Sequence, residues 1–206
     1  MTDHTMAIDL GWTAVALGLS GTLAQFNRVR RLGVEGVSLA TWLLFVMMGC
    51  FWISYGVVAH SWEITIGSLI ILPLQSSIVF RLQPWKSPRV VAQALAFFVV
   101  CCVAPTMAWG WVGGVYGTGV AMTINRGPQI VELIRQEDAS GVSATSWLLA
   151  VLGSICWVTY YQNVHLWAAL VSTAFAGLAN LSIALLAIWR HRQARQRLIG
   201  DVVFAA

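Results

Sequence analysis

Trp52 and Tyr55 stand three residues apart, and Trp157 and Tyr160 repeat the pair at the same spacing. An indole offers a broad apolar face and one N–H donor, which suits the ring face and hydroxyl rim of a sugar or nucleoside. Ser54, Ser68, Thr173 and Asn180 fall within apolar runs and supply polar groups at comparable depth. Arg126 is a cation inside another such run. This is a set for holding a polar solute; bond-breaking chemistry has no comparable set. His4, His60, His165 and His191 lie near chain ends or in short connections, without ligand-like partners. Cys50, Cys101, Cys102 and Cys156 all sit in apolar runs, where small buried hydrophobes are expected rather than disulfides or a zinc site. Asp9, Glu35, Glu63, Glu132, Glu137 and Asp138 fall at or beyond the run edges, Glu132 closest to the interior, so no proton relay is evident. Neither a nucleophile–base arrangement nor a phosphate-binding loop is visible. The expectation is a binding or transport protein, not an enzyme, with no metal and no cofactor.

The elements that must position these residues are membrane helices. Apolar residues make up 58% of the 206 and charged residues 10%, against about a quarter charged in an ordinary soluble domain. Runs near the ~20 apolar residues that span a bilayer recur throughout. The pattern predicts an all-α integral membrane protein with seven transmembrane helices, over 8–26, 39–59, 64–80, 90–109, 112–134, 144–162 and 166–189. Asp3, His4 and Asp9 stand where a cleavable leader would be basic. Arg28, Arg30 and Arg31 follow the first span. Arg81, Lys86 and Arg89 lie between the third and fourth, Arg135 follows the fifth, and Arg190, Arg192, Arg195 and Arg197 follow the seventh. The remaining loops carry no Lys or Arg. The positive-inside rule then predicts an inner (plasma) membrane protein with its N-terminus outside and C-terminus in the cytoplasm. The net charge of +4 thus reflects topology, and no nucleic-acid partner is expected. The partners are the lipid bilayer and a small polar solute, with homo-oligomerisation left open.

The chain also repeats itself. Ala24-Gln25, a charged stretch, Gly36-Val37-Ser38, Trp42-Leu43-Leu44, Trp52 and Tyr55 recur as Pro128-Gln129, a charged stretch, Gly141-Val142-Ser143, Trp147-Leu148-Leu149, Trp157 and Tyr160. The copies hold register from the Gly-Val-Ser triplet onward, and a match at two rare Trp positions marks a duplication. The predicted plan is a three-helix repeat over 8–82, a linker transmembrane helix over 88–110, a second three-helix repeat over 111–190, and a cytoplasmic tail over 191–206. Three spans are odd in number, so the linker helix is what makes the two repeats parallel. Parallel repeats are one of two known transporter plans, with the solute site between them near the midplane.

A Pro-Gln pair late in the first helix of a unit, a basic loop, Gly-Val-Ser and a closing Trp-x-x-Tyr resemble the PQ-loop superfamily. The three-one-three duplication and Trp52-Ile53-Ser54-Tyr55-Gly56 look most like its SWEET branch of sugar facilitators. The resemblance covers 18–189. It implies an alternating-access uniporter for a sugar-like solute. Trp52 and Trp157 match the pocket tryptophans, Pro128 and Gln129 the hinge pair, and Gln25 its glutamine, with Ala24 in place of the proline. The family's pocket asparagines fall on Ser68 and Thr173.

Several roles stay open on the residues alone. Many of the eleven tryptophans are expected in interfacial belts, while Trp52 and Trp157 lie deeper. Tyr55 and Tyr160 fit a gate at the outer mouth or simple anchoring. Pro128 sits inside a predicted helix, as a moving hinge or a static kink. Arg126 lies about 13 Å inward of Arg135, facing a cavity or snorkelling to the cytoplasm. Two other functions compete with sugar facilitation. One is a carrier of an amino acid, vitamin or nucleoside, with or without proton coupling; the other is a non-transporting receptor or adaptor.

Overall fold

The computed structural model describes residues 2–136, 138–163, 165 and 167–204; Glu137 and Leu166, the expected start of the seventh span, lie outside them. The described chain is helical throughout. Helices α1 (Thr2–Leu32), α2 (Leu39–Val58) and α3 (Trp62–Arg81) are followed by a short 3-10 turn, Pro84–Lys86. Then come α4 (Pro88–Phe98), a π-helical turn at Val99–Val103, α5 (Ala104–Ile124), α6 (Gly127–Arg135), α7 (Ala144–Asn163) and α8 (Trp167–Phe204). Pro105 cannot donate to the Cys101 carbonyl one turn back, and the widened π turn absorbs that break. Helix α8 continues past 189 without interruption, so most of the expected tail is a helical extension carrying Arg190 to Arg197.

Among the described residues, five helical stretches are long and apolar enough to cross a membrane: Leu39–Val58, Trp62–Arg81, Pro88–Arg135, Ala144–Asn163 and Thr173–Arg197. The third, 48 residues long, is not one rod. Trp109 (φ −130°, ψ 17°) and Gly110 (φ 66°, ψ −163°) leave the helical region, and the chain turns back on itself there. A Cβ added at Gly113 would lie 2.5 Å from the Pro105 carbonyl oxygen, so the arms before and after Gly110 pack antiparallel. The expected break between 109 and 112 falls at this turn. Helix α1 carries small and polar residues along its length, at Gly11, Thr13, Gly18, Ser20, Gly21, Thr22 and Gln25.

Those same small residues let α1 pack against both α3 and α7. A Cβ at Gly21 would come within 3.0 Å of the Ser146 carbonyl oxygen, and one at Gly153 within 3.8 Å of the Ala14 carbonyl. Backbones that approach this closely gain dispersion without needing a hydrophobic drive, as association inside lipid requires. On the opposite flank, α2 meets α5 through rings, with Trp111 centred 5.8 Å from Phe51 and 6.1 Å from Tyr55. The largest fully buried aliphatic side chains, Ile78, Leu133, Val142 and Ile183, gather toward the Arg-rich end of the bundle. The other end is looser. That difference positions the site.

Candidate functional site

The Gly-Val-Ser triplets explain themselves locally. Ser38 caps α2 by accepting from Thr41 N–H at 3.4 Å, and Ser143 caps α7 by accepting from Ser146 N–H at 3.1 Å. Gly36 adopts φ 75°, a left-handed conformation that favours glycine. A Cβ at Gly141 would meet the Gly33 and Glu35 carbonyl oxygens at 2.7 and 2.8 Å. The two turns therefore press against each other, and Gly141 N–H donates to the Glu35 carbonyl at 3.1 Å.

Two glutamines tie each turn to the opposite helix. Gln25 on α1 donates to the Gly141 carbonyl at 2.8 Å and accepts from Ser143 N–H at 2.7 Å. Gln129 on α6 donates to the Gly36 carbonyl at 2.6 Å and accepts from Ser38 N–H at 2.8 Å. Each side-chain amide thus pairs a backbone donor and a backbone acceptor across the bundle, and each glutamine is 1% exposed. The resemblance implies that they belong to a hinge or gate. Their geometry is that of crossed ties, because a buried amide must satisfy both its ends. Further out, Arg28 Nε donates to the Ser140 carbonyl at 2.6 Å, and Arg190 donates to the Leu133 and Ile134 carbonyls at the end of α6. The Arg-rich end is shut.

Above this floor lies a cavity of about 280 Å³ between α1, α2, α3, α5, α7 and α8, near the small end of ligand pockets. Of the residues picked from the sequence, Trp52, Trp157, Ser68, Thr173 and Arg126 line it. Ser54 does not: it is exposed, and its hydroxyl donates to the Cys50 carbonyl at 3.0 Å, the ordinary fate of a helical serine facing outward. Neither Tyr55 nor Tyr160 is among the lining residues. Tyr55 stacks parallel on Phe51 at 6.4 Å, and Tyr160 sits edge-on to Trp157 at 5.4 Å. Tyr161 lines the cavity instead, stacked on Trp157 at 5.6 Å. It stands four residues after Trp157, on the same helix face.

Other lining residues come in matched pairs, of which only Asn180 is picked out by the sequence. Trp42 and Trp147, 3% and 4% exposed, form the floor on either side of Phe45. Gln75 lies two turns below Ser68 on α3, and Asn180 lies two turns below Thr173 on α8. The signal was present as a seven-residue spacing from each hydroxyl to an amide. Glu63 lines the other end of the cavity, where its carboxylate accepts from Ser61 Oγ at 2.9 Å. Lining residues at the floor are buried while Glu63, Ile64 and Trp52 are partly exposed, so the cavity reaches the surface at the Glu63 end.

Pro128 stands just after a break in the helix. Helix α5 ends at Ile124, the chain bends through Asn125 and Arg126, and Pro128 is the second residue of α6. Pro128 has no N–H to give the Ile124 carbonyl four residues back and its ring crowds that carbonyl, so the helical ladder breaks there. The bend precedes it. There the Asn125 carbonyl accepts from Thr41 Oγ1 at 2.8 Å.

The bend also delivers Arg126 into the bundle. Its guanidinium donates through Nε to Asn180 Oδ1 at 2.8 Å and through Nη1 to Asn125 Oδ1 at 2.9 Å and to the Met122 carbonyl. Its Cζ sits 5.4 Å from the Phe45 ring centroid. It is 6% exposed, so the side chain does not snorkel. No family model, no curated protein and no solved structure matches the chain.

Proposed function

We propose that this chain is a facilitative, alternating-access membrane carrier of a small polar, sugar-like solute, resembling the SWEET branch of the PQ-loop superfamily. On this reading α1, α2 and α3 form one unit. The arm after Gly110 with α6, α7 and α8 forms a second, parallel unit, and the arm 88–109 joins them, giving seven spans. The N-terminus is outside, and the Arg-rich end faces the cytoplasm. The observation that carries the reading is the pairing of cavity residues at equivalent sequence positions: Trp52 with Trp157, Ser68 with Thr173, Gln75 with Asn180, Trp42 with Trp147. One cavity lined equivalently from two units is what a solute site between parallel repeats requires.

The mechanism follows from the ties. Gln25 and Gln129 close the cytoplasmic side while the cavity reaches the surface at the Glu63 end, an outward-facing arrangement. A solute enters between the two indoles and meets the hydroxyls and amides below. Breaking the crossed ties and separating the Gly-Val-Ser turns would open the floor. Four hydrogen bonds, each contributing about 0.5–1.5 kcal/mol net, suit an equilibrium between two forms a few kcal/mol apart. Glu63 on the cavity wall favours a second reading, in which a proton is carried with the solute. Uptake of a panel of sugars, sugar acids, amino acids and nucleosides into proteoliposomes, with and without a pH gradient, tests both. Saturable uptake indifferent to the gradient is expected for the uniporter. Uptake that requires the gradient would replace it with the coupled carrier.

A further inference from the structure

Arg126 is a buried cation whose acceptors are all neutral: Asn180, Asn125 and the Met122 carbonyl. Among the described residues no carboxylate lies within ion-pair distance of it, and no bond engages Nη2. A charge removed from water is ordinarily matched by an opposite one. Its surroundings cannot rearrange to supply more. Asn180 is held with its oxygen toward Arg126 because its Nδ2 donates to Ser154 Oγ at 3.2 Å and lies 3.5 Å from the Ala150 carbonyl. Asn125 is fully buried, and its Nδ2 has no acceptor among the described residues. Arg126, which lines the accessible cavity, thus brings to it one positive charge with no carboxylate partner among the described residues.

We infer that the cavity binds a small hydroxylated monocarboxylate, of the hydroxy-acid or sugar-acid class. Its carboxylate sits on Arg126 and its hydroxyl-bearing body lies against Trp52 and Trp157. This rests on the carrier reading above and narrows its solute. The geometry selects the class. Trp157 lies one turn, about 5 Å, above Ser154, which holds Asn180, so a carboxylate on Arg126 leaves the rest of a small molecule at the indoles. No second Lys or Arg lines the cavity, which disfavours a phosphate dianion. An α-amino acid fits poorly too. Glu63 packs by Gly11 beside Tyr160, about 9–15 Å along α7 from Ser154 and Ala150, whereas the ammonium and carboxylate of such a zwitterion share one carbon. A direct consequence is electrogenic transport. A uniported monoanion is driven outward by an inside-negative potential, about 50-fold in gradient per 100 mV, so the carrier would export an acid made inside.

The test is binding to the purified full chain in detergent, read by thermal stability and calorimetry with D-gluconate, glycerate, D-glucose and glycerol as probes. Gluconate or glycerate is expected to bind the parent, with glucose and glycerol far weaker at equal concentration. Arg126→Lys should retain acid binding, and Arg126→Gln should lose about 10- to 100-fold. Asn180→Asp guards against misfolding: its carboxylate takes the ligand's place on Arg126, so the protein stays folded but loses acid binding. The inference is overturned if neither acid binds, if the neutral polyols bind as well as the acids, or if a folded Arg126→Gln binds the acids like the parent. Proteoliposome uptake separates the two readings. Glucose carried while acids are ignored would sink the anion inference and leave the carrier; acids bound through Arg126 but never carried would do the reverse.

Discussion

Replacing Gln129 by Ala removes two buried hydrogen bonds, those to the Gly36 carbonyl and Ser38 N–H. In the form closed at the Arg-rich end it strands one donor and one acceptor; in a form open at that end both reach water. The substitution therefore acts on the difference between the two forms. Two bonds at about 1 kcal/mol each give a shift of about 2 kcal/mol, roughly 30-fold in the ratio of closed to open. Gln25→Ala should give a shift of the same size, since its two bonds to Gly141 and Ser143 are of the same kind. The double substitution should make the open form predominant. Spin labels at Arg31 and Arg135, both exposed, in a chain freed of its four native cysteines, would report the separation of the two loops. A single short-distance population is expected in the parent, a mixture in each single variant, and mainly the longer distance in the double. Unchanged distances in the double variant, with helical content retained, would refute the assignment of the glutamines as ties that hold this end shut.

Further outcomes follow from the site. Trp52→Ala and Trp157→Ala should each cut solute uptake at least tenfold, while Ser54→Ala changes it less than twofold, as parallel uptake curves at equal expression would show. Tyr161→Ala should weaken solute binding more than Tyr160→Ala, because only Tyr161 lines the cavity; calorimetry on the two variants decides. Thr41→Val removes the hydroxyl that holds the Asn125 carbonyl and should cost about 1–2 kcal/mol of stability, measurable as a lowered unfolding midpoint. A cytoplasm-active reporter fused after Arg197 should be active and an exported one silent; the opposite pattern would invert the proposed orientation.

The helical class and the apolar stretches were legible from composition, since no soluble core of this size tolerates so few charges. The turn at Trp109–Gly110 was legible as a break between two apolar runs. Trp52 and Trp157 are legible as equivalent positions in a duplication, and Ser68 and Thr173 through the resemblance; all four line the cavity. Ser54 misled because depth along a helix says nothing of the face, and its neighbour Trp52 lies 200° around the helix at 100° per residue. Gln25 and Gln129 were visible as repeated residues, but their partners are 116 and 93 residues away, a pairing no local pattern encodes. Pro128 is legible as a break in a continuing apolar run, because its ring and missing N–H act on the carbonyl four residues back. What the bend at Asn125–Arg126 packs against, the Thr41 hydroxyl of another helix, is tertiary and has no local signal.

The most direct test of the carrier reading is solute counterflow. Proteoliposomes are loaded with the unlabelled solute that the uptake panel favours, diluted into a trace of the labelled one, and followed in time. An alternating-access carrier must show a transient accumulation of label above equilibrium, reduced by Trp52→Ala and by Trp157→Ala. A chain that takes up label without any overshoot, or no faster than protein-free vesicles for every solute in the panel, would contradict the account.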